Sequence, residues 1–425
     1  MKKILIISPH FPPSNLAAVH RSRLFAQHLP TFGWEPVILT VDEKYYEEAL
    51  DPNLSRLLPE GLRIEKVKAF PVTRPRLIGD IGLRGLLFLY RRAKKLIREE
   101  GIDFLYIPIP SFYVALLGRW LHRSTGVRYG IDYIDPWVHE FPGSRKRFSR
   151  HWWSTRLARM LEPIAVRRAS LITGVAEGYY KGVIERNPRL SSTAVFGAMP
   201  YGGEGKDHER VKELGLRPYL FTRKPGKLLL VYAGAMLPKA YAPLEAVLNV
   251  IKENPAVFSE VEFHFIGTGK TANDPNGHNI KPLAERYGLW GTTIFEYPAR
   301  IPYLDVLIHL EAADGIFVLG STEPHYTPSK VFQGILSHKP VMALLHEAST
   351  ARKVVVDAGA GTVLAFNGED YAEKIGEGFV RAFVGYSAFL KEYSFEKVNR
   401  QLFDEYSAYH VTEKLAALLG QAAGD

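Results

Sequence analysis

The chain has 425 residues, a formal net charge of +9 and no cysteine. That length exceeds one ordinary core and implies about two domains; the missing thiols exclude disulfides and thiolate metal sites and fit a cytoplasmic protein. The cationic excess favours an anionic partner (a phosphorylated substrate, an acidic membrane surface or nucleic acid) without choosing among them.

Met1-Lys-Lys-Ile-Leu-Ile-Ile-Ser8 has too short an apolar run for a signal sequence and reads as a first strand. No run of about 18 apolar residues follows, so no helix is expected to span a membrane. The loop Pro9 to Arg21 leads into a helix ending near Leu29, and Gly33 to Thr40 is the next strand, which makes a βαβ unit of a parallel sheet. Its turn, Ser14-Asn15-Leu16-Ala17, lacks the G-x-G-x-x-G of dinucleotide folds and argues against a nicotinamide or flavin enzyme. Leu83 to Arg98 is a basic amphipathic helix, read as packing on the sheet ahead of membrane contact. Strands follow at Phe104 to Pro108 and from Val127, with a helix at Tyr113 to Leu121 between them, and Asp132 and Asp135 flank the second strand's end.

Ser144 to Leu161 holds six Arg or Lys residues between Arg145 and Arg159, no acid, and the pair Trp152-Trp153. The mixture suits an anionic lipid interface through Arg145 to Met160, and it equally suits a solvated helix with its tryptophans in the core. After the strand Leu171 to Val175 and the helix Ala176 to Glu185, the glycine-rich, charged residues 201–226 read as an interdomain linker. The alternation then restarts, with strands at Lys227 to Ala233, Val261 to Gly267 and Thr293 to Tyr297, and helices at Pro243 to Lys252, Lys281 to Tyr287 and Tyr303 to Ala312. The expected organisation is α/β, two doubly wound Rossmann-like domains facing each other across a cleft: 1–200, and 227–390 after the linker. The helices of 391–425 complete the second domain or cross back to the first.

Gly315 to Leu345 reads as strand, polar loop, helix, tight return, strand. Thr327 is placed as the helix cap and Pro328 in its first turn, so Ser329 and Lys330 follow where backbone N–H groups are unpaired. That start is an expected anion site, for phosphate. Ligands of open parallel sheets bind outside the C-terminal strand edges. Gly234 with Lys239, Gly267-Thr268-Gly269, Arg300 and Ser329-Lys330 all fall at such edges in the second half; the loop to Arg21 and Asp132 to Trp137 do so in the first. One lobe thus offers phosphate-compatible groups and the other a carboxylate, as a phosphorylated donor and its acceptor would need.

The N-terminal Ile-Ser-Pro-His-Phe-Pro-Pro-Ser loop, Ile134-Asp-Pro-Trp137, Tyr232-Ala-Gly234, Phe265-Ile-Gly-Thr-Gly269, Leu310 to Asp314 and Pro328-Ser-Lys-Val-Phe-Gln333 together resemble the GT-B glycosyltransferases of family 4. The resemblance spans nearly the whole chain and implies retaining transfer from a nucleoside-diphosphate sugar to a saccharide or lipid-linked acceptor; no metal is expected, because no site loop holds a compact pair of acids separated by one residue and a lysine with a helix dipole can stabilise the diphosphate instead. It implies that Lys330, Ser329 and the helix start bind the donor diphosphate, that Lys239 helps neutralise it, and that Asp135 contacts the transferred sugar. Asn15, Leu16, Gly234, Gly267, Thr268, Arg300, Glu323, Thr327 and Gln333 complete the implied donor site, with His10, His20 and Arg21 on the first-domain loop. The family's pair of acids is replaced here by His325 and Gln333. Gln333 can still hydrogen-bond a ribose, and Glu323 stands near the first position. A nucleotide-sugar epimerase and a catalytically weakened GT-B binding subunit are the alternatives. Nucleic acid ranks last, because no reader motif accompanies the basic run. The expected location is cytoplasmic, at the inner face of the membrane if the basic helix meets lipid.

Overall fold

The computed structural model describes every residue except 74, 77, 139–145, 272–273, 325, 327 and 425. Arg145, His325 and Thr327 therefore lie outside the described residues. The chain forms two compact units, Met1–Tyr201 with Ala408–Asp425, and Gly202–Ser407.

The first unit is built on β1 (Lys2–Ile7), β2 (Trp34–Val41), β3 (Arg63–Val67), β4 (Phe104–Ile109), β5 (Arg128–Tyr133), β6 (Leu171–Gly174) and β7 (Val195–Ala198). All pairings are parallel, in the order β3-β2-β1-β4-β5-β6-β7. Strand alternation divides the apolar residues between two faces. Leu5, Ile7, Leu105 and Ile107 pack under the helices Ile81–Glu100, Ala115–Thr125 and Arg150–Val166. Ile4, Ile6, Phe104 and Tyr106 pack with Phe25 of the helix Ala17–His28 and Leu415 and Leu419 of the helix Ala408–Ala423. The edge strand β3 carries charge outward: Arg63 pairs with Glu65 and Glu100, and Arg92 with Glu65. Such an edge discourages pairing with another chain.

The second unit holds β8 (Leu228–Ala233), β9 (Val261–Ile266), β10 (Ile294–Tyr297), β11 (Gly315–Leu319), β12 (Val341–His346) and β13 (Gly361–Phe366) in the order β10-β9-β8-β11-β12-β13, again parallel throughout. Tyr232, Phe265, Phe317 and Leu344 meet Leu244, Leu248, Phe379 and Phe383 of the helices Tyr241–Glu253 and Tyr371–Glu392 in one core. Each sheet reverses its strand order at one point, between β1 and β4 and between β8 and β11, which is where open α/β sheets leave a crevice at the C-terminal strand ends.

Three details add to the sequence reading. The stretch 201–226 carries the helix Gly205–Glu213, which buries Asp207, His208 and Val211 within the second unit. In the terminal segment, Arg400–Asp404 belongs to the second unit and Ala408–Ala423 to the first, where it packs beside Ala17–His28. The helix expected from Thr327 and Pro328 begins at Lys330 and ends at Leu336, and Ser329 at its cap makes no side-chain capping bond. The turn-type bonds from Val331 N to Pro328 O and from Phe332 N to Ser329 O show why: the chain tightens through Pro328 and Ser329 before it becomes helical.

Candidate active site

In the second unit, the loop after β8 turns at Gly234, whose φ of 107° suits glycine alone. A side chain there would meet Lys330 Cε at 3.1 Å, so the position is held by a close approach as well as by its backbone angle. The Lys330 ammonium donates to Ala235 O at 3.0 Å and lies 4.7 Å from the centre of the Tyr232 ring. Tyr232 is itself buried under the loop, its hydroxyl donating to Ala235 O at 3.2 Å. Lys330 keeps some surface open, yet the protein packed around it, with no carboxylate partner among the described residues, pulls its pKa down from 10.5 to about 8. A cation so placed gains most from an arriving anion.

The loop after β9 approaches the same place. Gly267 adopts φ 73° and donates to Tyr297 O at 2.8 Å, and a side chain on it would meet Gly234 Cα at 3.8 Å and Arg300 Cα at 4.0 Å. Gly234, Gly267, Arg300 and Lys330 thus converge at the ends of β8, β9, β10 and the loop beyond β11. Lys239 lies in the short helical turn Pro238–Ala240, where its ammonium is 3.1 Å from Glu323 Oε1, and Thr322 N donates to Lys239 O at 3.4 Å. These bonds tie the β8 and β11 loops together and make Glu323 the partner of Lys239.

Two donor candidates are committed elsewhere. Thr268 is buried and its hydroxyl donates to Glu296 Oε1 at 2.8 Å, which leaves it a structural tie. Glu296, which the sequence reading missed, also accepts from the backbone N–H groups of Asn279, Ile280 and Lys281 at 3.1, 3.0 and 2.9 Å. It fixes the β9 loop from below. Gln333 Oε1 lies 3.2 Å from His208 Nε2, and His208 Nδ1 lies 2.7 Å from Glu311 Oε1. The helix Gly205–Glu213 therefore holds the Gln333 amide, leaving its other end for a ligand.

In the first unit, the loop after β1 is braced by residues that the sequence reading passed over. Phe11 N donates to the Tyr46 hydroxyl at 3.0 Å, Ser14 donates to Glu48, and His10 Nδ1 sits 2.8 Å from Glu48 Oε1. Burial works against the charged form of Glu48, but the His10 and Ser14 hydrogen bonds and the His10 charge outweigh it and hold the carboxyl near 2. Leu16 caps the helix Ala17–His28 by backbone geometry alone, and Asn15 and His20 lie beside it, partly exposed.

Arg21, expected on the loop, is instead wholly buried. Its Nη2 donates to Asp132 Oδ1 at 3.0 Å and Nε to Oδ2, and Nη1 donates to the carbonyls of Met199 and Pro200 at 3.0 and 2.9 Å. Thr173 adds a donor to Asp132 Oδ1 at 2.8 Å. The guanidinium is spent inside the fold, where it staples the helix Ala17–His28 to β5 and to the segment after β7. Asp135 differs from its neighbour Asp132: it is exposed and accepts no hydrogen bond among the described residues. With no cation to offset it, the surrounding protein raises its carboxyl to about 6. Among the described residues, no group of three or more His, Asp or Glu side chains is placed to hold a metal ion.

Residues 17–197 match the family model described as a glycosyl transferase 4-like domain. The chain has the GT-B fold, and residues 17–197 of its first unit are similar to a glycosyl transferase 4-like domain. Chain-wide structural likeness supports the fold. HepE of Anabaena, solved with UDP and glucose, aligns over 99% of this chain and 100% of its own at a TM-score of 0.63 and 14% identity. Sucrose-phosphate synthase from Thermosynechococcus elongatus aligns over 99% of both chains at 0.63 and 13% identity. A UDP-forming trehalose-phosphate synthase from Burkholderia xenovorans aligns over 100% of both at 0.64 and 13% identity. No curated protein matches in sequence.

Proposed function

We propose that this GT-B protein transfers a sugar from a uridine diphosphate sugar to a hydroxyl of a saccharide or lipid-linked acceptor, with retention. The observation that carries the reading is Lys330: a cation with a depressed pKa, set against Gly234 where the β8, β9 and β11 loops converge. The UDP and UDP-sugar complexes of the structurally similar proteins support a uridine nucleotide.

In this account the second unit holds the donor. Lys330 and the backbone around Gly234 and Gly267 stabilise the diphosphate as the bond from sugar C1 to the phosphate oxygen breaks. Lys239 joins them by exchanging Glu323 for phosphate, and Ser329, Arg300 and Gln333 orient the nucleotide. The acceptor hydroxyl oxygen bonds to C1 and its proton leaves with the departing diphosphate. Asp135 of the first unit, ionised above about pH 6, is the carboxylate this reading assigns to the positive charge that develops on the ring. Positioning and electrostatics supply the rate, with no covalent step.

The experiment is to incubate the full chain with UDP-sugars, with and without membrane and glycan extracts. UDP release that requires the extract, with the donor's anomeric configuration kept in the product, is the expected result. Conversion of the donor without acceptor would assign an epimerase instead, and no consumption of any donor would leave a binding subunit.

A further inference from the structure

The helix Arg150–Val166 packs inward through Ala158, Ala165 and Val166. It also carries a second apolar stripe, Trp153, Leu157, Met160 and Ile164, facing solvent at 57%, 40%, 69% and 47% exposure. Their spacing of four, three and four residues puts all four on one helical face. Phe148 extends the stripe before the helix, its ring 5.4 and 6.4 Å from those of Trp152 and Trp153. Cations flank it. Residues 146–168 contain seven Lys or Arg and a single acid, Glu162, which is buried and bonded to Arg186 at 2.8 and 2.9 Å.

A second apolar feature lies in the same helical layer. Phe70, Leu83, Leu86, Leu87, Tyr90 and Trp120 line a groove of about 470 Å³, and Ala115–Thr125, which carries Trp120, packs between Ile81–Glu100 and Arg150–Val166. Here too the apolar residues border cations, Arg91, Lys94, Lys95 and Arg98, with Lys94 Nζ 5.7 Å from the Tyr90 ring centre.

We infer that this three-helix face of the first unit docks on an anionic lipid bilayer, with the Trp153–Ile164 stripe and the Leu87–Trp120 groove entering the headgroup layer and the flanking arginines meeting lipid phosphates. An exposed apolar stripe rimmed by cations, with indole at its edge, matches the partition of an interfacial helix. A second copy of the chain is a poor occupant, because self-pairing would bring two sets of cations together. The inference goes beyond the donor reading and does not depend on it.

The test is co-sedimentation of the full chain with vesicles of phosphatidylcholine alone and of equimolar phosphatidylcholine and phosphatidylglycerol. Recovery with the anionic vesicles only, reversed by salt, is expected. The pair Leu157→Glu and Met160→Glu should lower partitioning at least about tenfold. Arg150→Ala and Arg167→Ala, which leave the apolar surface intact and serve if the first pair fails to fold, should each lower it about fivefold. Brominated lipid should quench the wild-type tryptophan emission, and less so in Trp153→Phe. Equal recovery in the supernatant with both vesicle types at low salt would overturn the inference, as would pelleting indifferent to both sets of variants. So would a solution dimer, seen by light scattering, that Leu157→Glu and Met160→Glu dissolve.

Discussion

Replacing Lys330 by methionine should move stability and ligand affinity in opposite directions. In the ligand-free protein the ammonium is disfavoured: its pKa falls from 10.5 to about 8, a cost of at most about 3 kcal/mol. Because the folded-state value lies below the unfolded one, that cost is fully present below about pH 8 and fades as the pH rises towards 10.5. Lys330→Met removes it, less the hydrogen bond to Ala235 and the contact with Tyr232, for a net gain on the order of 1 kcal/mol at pH 7. The same change deletes a charge-assisted phosphate contact of roughly 1.5 to 3 kcal/mol, weakening UDP about 10- to 150-fold. Binding of a diphosphate must also reprotonate Lys330 above its free pKa. Wild-type affinity for UDP should therefore be flat up to about pH 8 and then fall by up to tenfold per pH unit. Calorimetric titrations from pH 7 to 9.5, with thermal melts of the free protein, read both effects. An alkaline fall of equal slope in wild type and Lys330→Met would refute the assignment, as would a melt that drops on substitution while UDP binding is unchanged.

Gly234→Ala combines an unfavourable backbone angle with a contact of 3.1 Å on Lys330; a loss of about 1 to 3 kcal/mol in denaturant melts and weakened UDP binding are expected, and wild-type values for both would contradict the site. Arg21→Met leaves Asp132 buried and unpaired in the first unit, so stability should fall by about 3 to 5 kcal/mol with UDP affinity retained once folded; a shift under about 1 kcal/mol would mean the pair is not the staple described. Asp135→Asn should leave UDP binding intact, reduce turnover, and abolish the acid limb that wild type shows as the carboxylate protonates below about pH 6. A pH–rate profile with the same acid limb in both proteins would remove Asp135 from the reaction.

The strands of the sheet centres were legible where β1, β4, β8 and β11 are apolar runs followed by Ser, Pro or Gly, as burial on both faces requires. The edges were not. β3 reads Arg-Ile-Glu-Lys-Val and β7 Val-Phe-Gly-Ala, too charged or too short to stand out, and the helix Thr350–Asp357 escaped notice beside β12. Gly234, Gly267 and Lys330 were visible from their positions at strand ends. Arg21 was misplaced because its partner Asp132 is 111 residues away, and nothing local marks a long-range ion pair. Glu296 looks like an ordinary alternating strand residue until the backbone of residues 279–281 closes on it. His208 fell in a stretch read as linker from its glycines and charge, although Asp207, His208 and Val211 repeat at helical spacing. The terminal helix Ala408–Ala423 shows an apolar face but no sign in sequence of which unit it covers.

The central claim is that the second unit grips a uridine diphosphate sugar through Lys330. Titration calorimetry of the full chain with UDP and a panel of UDP-, GDP- and ADP-sugars tests it most directly. One site per chain is expected, one that prefers uridine nucleotides, is competed by UDP, and is weakened at least about tenfold in Lys330→Ala. Wild-type affinity in Lys330→Ala, or no binding of any nucleotide sugar by the folded wild-type chain, would contradict it.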